Sequence, residues 1–113
     1  MTARNQLLAA PPYQVEQALM RIGHDLRIAR IRRSLTIADA AARIGTGQRA
    51  VRDAEHGKAS TAIAVYVALL WLYDMLEAFD VVADPLKDEQ GLALAGVNEK
   101  QRARKGKGLD NDF

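Results

Sequence analysis

Cysteine is absent from the chain. Disulfides and thiolate metal sites are therefore excluded, and the composition suits a reducing cytoplasm. Long apolar runs are also missing, since no stretch approaches the ~20 apolar residues that a bilayer-spanning helix needs. Leu7-Leu8-Ala9-Ala10 is too short for a signal-peptide core and stops at Pro11-Pro12, so export is not expected. The histidines, His24 and His56, stand far apart, and no His/Asp/Glu spacing resembles a metal-ligand set. Nucleophilic catalysis would need a serine with a histidine base and an orienting acid. Ser34 and Ser60 read instead as cap or turn residues. Gly45-Thr46-Gly47 is not followed by Gly-Lys-Ser/Thr, so it is not a phosphate-binding loop. The expectation is a protein without enzyme chemistry, metal or cofactor.

What the chain does hold is enough for one small core. Its 113 residues support a single domain, and 49% are apolar, although alanine supplies much of that fraction. The net charge of +2 conceals a division along the chain. Residues 21–58 hold nine Lys/Arg against four Asp/Glu, a balance of +5. Residues 59–84 hold no base and four acids, Asp74, Glu77, Asp80 and Asp84. A basic half beside an acidic half suits a surface facing nucleic acid with an opposite surface turned away. Ordinary solvated charge is the alternative, and the motif within the basic half decides between them.

That motif is residues 34–58, SLTIADAAARIGTGQRAVRDAEHGK. Two short helical patterns meet at Gly45-Thr46-Gly47, which fits a helix-turn-helix, whose second helix lies in the DNA major groove. Leu35 before Thr36, with Asp39 three residues later, reads as an apolar residue, an N-cap and a capping-box acid. Ala40, Ala41 and Ile44 form a small apolar face, and Gly45 can stop the helix in the left-handed conformation. The second helix begins near Gln48, turns Val51 and Ala54 inward and ends at His56-Gly57. Small residues at 40, 41, 50 and 54 permit a close crossing. Gln48, Arg49, Arg52 and Asp53 point outward and can bond base edges and phosphates. The candidate DNA-contacting set is Thr36, Thr46, Gly47, Gln48, Arg49, Arg52, Asp53 and Lys58.

This spacing resembles the lambda repressor, Cro and Xre group of helix-turn-helix proteins over roughly residues 20–80. Gly45-Thr46-Gly47-Gln48-Arg49-Ala50-Val51 looks like that family's turn and early recognition helix, and Glu55, Gly57 and Lys58 like its exit. The resemblance implies an all-α, lambda-repressor-like domain of about five helices. It also implies an ion pair between Arg30 and Glu55 that ties the first helix to the recognition helix. From the residues alone, these two are a surface arginine and a surface glutamate. One departure is that Ile37 stands where the family often has a glutamine that touches phosphate.

Residues 1–10 read as a loose arm and residues 11–84 as the DNA-binding and dimerisation domain. Pro11-Pro12 opens a long helix with Val15, Leu19, Ile22, Leu26 and Ala29 at helical spacing. Arg21, Arg27, Arg30, Arg32 and Arg33 lie on its other faces, and it should end near Arg33-Ser34. Ser60 or Thr61 should cap a further helix, apolar almost all round from Ala62 to Leu72 and so buried on more than one side. The apolar excess at Trp71, Leu72, Leu76, Phe79 and Val82 predicts a homodimer interface, with a plain monomer core as the alternative. Phe79 to Val82 could be helical or extended.

Residues 85–113 mix isolated apolar residues with Gly, Lys, Arg and Asp, and read as a mostly disordered tail. Such a tail can be inert, add nonspecific phosphate affinity, or fold on a partner protein. Asp84-Pro85-Leu86, Gly91-Leu92-Ala93-Leu94 and a following Arg/Lys cluster resemble HipB-like antitoxins. That resemblance implies a HipA-type kinase toxin as a partner beside an operator in double-stranded DNA. A phage- or prophage-type repressor without a toxin, and an interaction module with a purely structural helix-turn-helix, are the other readings.

Overall fold

Alanine, leucine and arginine dominate the segments between the turns, and each such segment is helical. The computed structural model describes residues 5–106. Among them are seven α-helices and no strand: α1 (Gln6–Ala9), α2 (Tyr13–Arg32), α3 (Ile37–Ile44), α4 (Gln48–Glu55), α5 (Ile63–Leu72), α6 (Leu76–Asp80) and α7 (Glu89–Gly106). A 3-10 turn, Pro85–Lys87, precedes α7. The chain divides into two units, one running through Phe79 and the other starting at Asp80. Among the described residues no helix is long and apolar enough to cross a membrane.

Four successive helices end by the same device. Ser34, Gly45, Gly57 and Asp74 each take a left-handed backbone, with φ of 57°, 79°, 68° and 60°. In each case the next residue's N–H reaches back to the carbonyl of the last turn: Leu35 to Arg30, Thr46 to Ala41, Lys58 to Asp53 and Met75 to Leu70, over 3.2, 2.9, 3.0 and 2.7 Å. These are Schellman closures, which satisfy carbonyls that a helix end would leave free. Two use glycine, as the spacing predicts. The other two place a side chain where L-residues lose roughly 1–2 kcal/mol.

Helix starts follow the sequence less uniformly. Thr36 and Asp39 form the predicted capping box on α3, each side chain bonding the other's backbone N–H at 2.9 Å. The predicted Ser60 or Thr61 cap of α5 is not formed: Ala62 is the N-cap, without a side-chain bond. Thr61 belongs to the preceding turn, where its N–H donates to the Lys58 carbonyl at 3.1 Å.

The core is built from Leu26, Ala29, Ala40, Ala41, Val51, Ala54, Tyr66, Leu69 and Tyr73. Ala40, Ala41 and Ala54 let α3 and α4 cross closely, as their size predicts. A closer approach occurs between α2 and the exit of α4. A Cβ on Gly23 would meet the Ala54 and Glu55 carbonyl oxygens at 2.5 and 2.7 Å, and one on Gly57 would meet the Leu19 carbonyl at 2.5 Å. Backbone lies against backbone at both glycines, so no side chain fits there.

The five helices expected within residues 11–84 are α2 to α6, and α1 and α7 lie outside that span. Three expectations need correction. Within the predicted loose arm, Asn5 caps α1 by accepting the Leu8 N–H at 3.3 Å. The predicted tail is helical from Glu89 to Gly106: helix formers fill it, Glu89 sits in its first turn, and Asp88 accepts the Gly91 N–H at 2.9 Å. Residues 107–113, with Phe113, lie outside the described residues. Finally, α5 is fully buried only at Tyr66 and Leu69, with Val65, Leu70 and Leu72 partly buried against the core, while Ile63 and Trp71 are 67% and 60% exposed. Phe79 is helical, within α6.

Candidate nucleic-acid interface

The helix-turn-helix consists of α3, the turn Gly45-Thr46-Gly47 and α4. Gly45 needs its glycine for the left-handed φ of 79°, whereas Gly47 is extended at φ −79°, ψ 160°. As the N-cap of α4, Gly47 offers no side chain, so the first-turn N–H groups of α4 have no side-chain cap. Such donors, at the positive end of a helix, suit a phosphate oxygen.

One face of α4 holds Val51, Ala54 and Glu55, all buried, and the opposite face holds Gln48, Arg49 and Arg52, all exposed. The separation follows from the 3.6-residue repeat, since positions 48, 49 and 52 share a face. The structure thus brings Gly47, Gln48, Arg49 and Arg52 together at the exposed start of this helix. Thr46 is half-buried in the turn and donates its N–H to the Ala41 carbonyl at 2.9 Å. Thr36 is exposed, with its hydroxyl engaged in the α3 cap. Asp53 is half-buried and pairs with Lys58 at 3.7 Å, so these two face each other rather than forming part of the arginine cluster.

Behind α4 lies the pair implied by the resemblance. Arg30 Nε donates to Glu55 Oε2 at 2.6 Å and Nη2 to Oε1 at 3.0 Å, a two-pronged contact from α2 to α4. The remaining prong, Nη1, donates to the Leu35 carbonyl at 2.8 Å. Only 10% of the Arg30 side chain and 4% of Glu55 are exposed, which corrects the placement of both on the surface. The hydrogen bond to Glu55 holds the Arg30 pKa above its ordinary value. One guanidinium therefore locks the orientation of α4 and the entry to α3.

Sequence reasoning also missed an exposed arginine that bonds distant backbone. Arg33 donates to the Ala29 carbonyl and, across 40 residues of sequence, to the Tyr73 carbonyl, both at 2.9 Å. Its guanidinium also lies 5.3 Å from the centre of the Tyr73 ring. Tyr73 itself is 1% exposed, and its hydroxyl is buried without a partner. Burial raises the pKa of this phenol above the usual 10, and the nearby Glu55 carboxylate adds to the rise. Nothing in the residue pattern separates Arg33 from Arg32 beside it, and both are exposed.

Of the predicted dimer residues, Trp71 is 60% exposed, whereas Leu72, Leu76 and Phe79 are half-buried. Val82 is exposed and belongs to the second unit. No protein-family model, no curated protein and no solved structure matches this chain.

Proposed function

We propose that this chain is a sequence-specific, double-stranded DNA-binding repressor that acts in the cytoplasm as a homodimer. The observation that carries this reading is the two-sided build of α4. Gln48, Arg49 and Arg52 are exposed beside an uncapped helix start, while Glu55 on the other side is clamped by Arg30. In a major groove, Arg49 would bond guanine O6 and N7, Gln48 would bond adenine, and Arg52 would hold a phosphate. Two copies on half-sites one turn apart would place their α4 helices about 34 Å from each other.

The narrower proposal is an antitoxin of the HipB-like kind that represses its own operon and binds a HipA-type kinase toxin. It is favoured by α7, a helix on which Leu92, Leu94 and Val97 are all more than half exposed and open to a partner protein. A free-standing prophage-type repressor remains the alternative function.

Selection of binding sites from random duplexes, followed by footprinting, tests the reading. Arg49→Ala should cost roughly 1–3 kcal/mol and relax preference at one position per half-site. Arg52→Ala should weaken all duplexes alike and lower the salt slope by about one. Unchanged affinity and site choice in both variants would refute it.

A further inference from the structure

We propose that the pocket framed by α2, α5 and α6 binds a small, uncharged, largely apolar molecule that carries one hydrogen-bonding group. The pocket lies wholly within the unit that ends at Phe79 and encloses about 270 Å³. Leu19 and Ile22 of α2, Ile63 and Tyr66 of α5 and Phe79 of α6 form its walls, together with Thr61 of the turn before α5. Ala59 completes the lining with a single methyl group, so the turn does not fill the space that the longer side chains frame.

Size and lining decide the class of occupant. An apolar cavity of roughly 150 Å³ suffices for benzene, so this one takes a compact fused-ring molecule. It is far too small for a helix of a partner protein. No charged side chain lines it, and a charged ligand would lose its water there without gaining a counter-ion. The class is therefore small, uncharged and mostly apolar.

A buried hydroxyl supplies the polar requirement. The Lys58 carbonyl accepts both the Thr61 N–H and the Tyr66 O–H, each at 3.1 Å. These bonds use both of its lone pairs and hold the turn and the phenol ring in place. The Thr61 hydroxyl finds that acceptor saturated, does not bond the neighbouring phenol, and is buried without a partner. Buried side-chain hydroxyls nearly always have one. Because Thr61 lines the pocket, a hydrogen-bonding group on the ligand provides it. Leu19 also connects the pocket to the helix-turn-helix, since its carbonyl is the group packed against Gly57 at the exit of α4. On the DNA-binding reading the occupant is an effector, but the site itself does not rest on that reading.

Indole is the probe, a compact fused ring with a single N–H donor. Indene has the same shape without the donor, and indole-3-carboxylate adds a charge. In a methyl-labelled chain, millimolar indole should give saturable NMR shift changes centred on Leu19, Ile22 and Ile63. Indole should bind about 2- to 10-fold more tightly than indene, the worth of one hydrogen bond, and the carboxylate should not bind. Thr61→Val keeps the shape of the side chain and should bring indole down to the affinity of indene, leaving indene unchanged. Ile63 stands at the rim, 67% exposed, so Ile63→Trp should close the pocket to both probes without altering the circular dichroism of the fold. The absence of saturable shifts at these methyls, or shifts centred elsewhere, would overturn the proposal. So would equal affinity for indole and indene, or a Thr61→Val chain that keeps the preference. None of these measurements contains DNA, so failure here is distinguishable from failure of the DNA-binding reading.

Discussion

Replacing Arg30 with methionine removes three hydrogen bonds and leaves two acceptors stranded. Glu55 loses the donors at 2.6 and 3.0 Å, and the Leu35 carbonyl loses the donor at 2.8 Å. The Glu55 side chain is only 4% exposed, so water cannot take over without opening the contact between α2 and α4. Breaking a buried pair from one side costs about 3–5 kcal/mol, a large part of the 5–15 kcal/mol that holds a typical domain together. Each kcal/mol lowers the melting temperature of a small domain by about 4–8 °C, so Arg30→Met should lie well over 10 °C below the unmodified chain. The double variant Arg30→Met/Glu55→Met should recover most of the loss, because an apolar pair of similar volume leaves no stranded charge. Calorimetry of the four chains in a double-mutant cycle measures the coupling. A loss below about 1 kcal/mol in the single variant would mean that the pair behaves as a solvated surface contact, and the account of α4 orientation would fail.

Alanine at Gly23 should destabilise the fold by about 1–3 kcal/mol in urea unfolding, opposite to the gain of up to about 1 kcal/mol that alanine brings to an open helix interior. The new Cβ would sit 2.5 Å from the Ala54 carbonyl oxygen. A stabilised variant would show that α2 and α4 can separate freely. Alkaline pH should weaken the fold through Tyr66 and Tyr73, whose phenols burial holds above the ordinary 10. Below pH 10 both are neutral in the folded and unfolded chain. As pH rises past 10 the unfolded chain ionises first, so stability falls, and tyrosinate absorbance should rise together with unfolding. Acid should loosen α3, because hydrogen bonds from Thr36 hold the Asp39 carboxyl below its usual 3.8. The cap is intact above that value and lost as pH falls through the lowered one, and Asp39→Asn should remove this part of the acid transition.

Local chemistry alone determined much of this protein. Thr36 and Asp39 announce a helix start because their side chains satisfy nearby backbone donors, and Gly45 and Gly57 announce stops because glycine tolerates positive φ. The alternation of buried Val51 and Ala54 with exposed Gln48, Arg49 and Arg52 follows from helical periodicity and needs no partner to be read. Periodicity also put Arg30 on the polar side of α2, and there it misled, because the residue that buries it lies 25 positions away on α4. The same limit hid Arg33, held by the Tyr73 carbonyl 40 positions on, and Gly23, whose necessity is visible only where the α4 carbonyls press against α2. A uniformly apolar α5 implied burial on several sides, but the core buries Tyr66 and Leu69 fully and covers Val65, Leu70 and Leu72 only in part. Sequence reports what a residue does to its own turn of chain, whereas burial and charge pairing depend on which distant surface arrives opposite it, and only tertiary packing decides that.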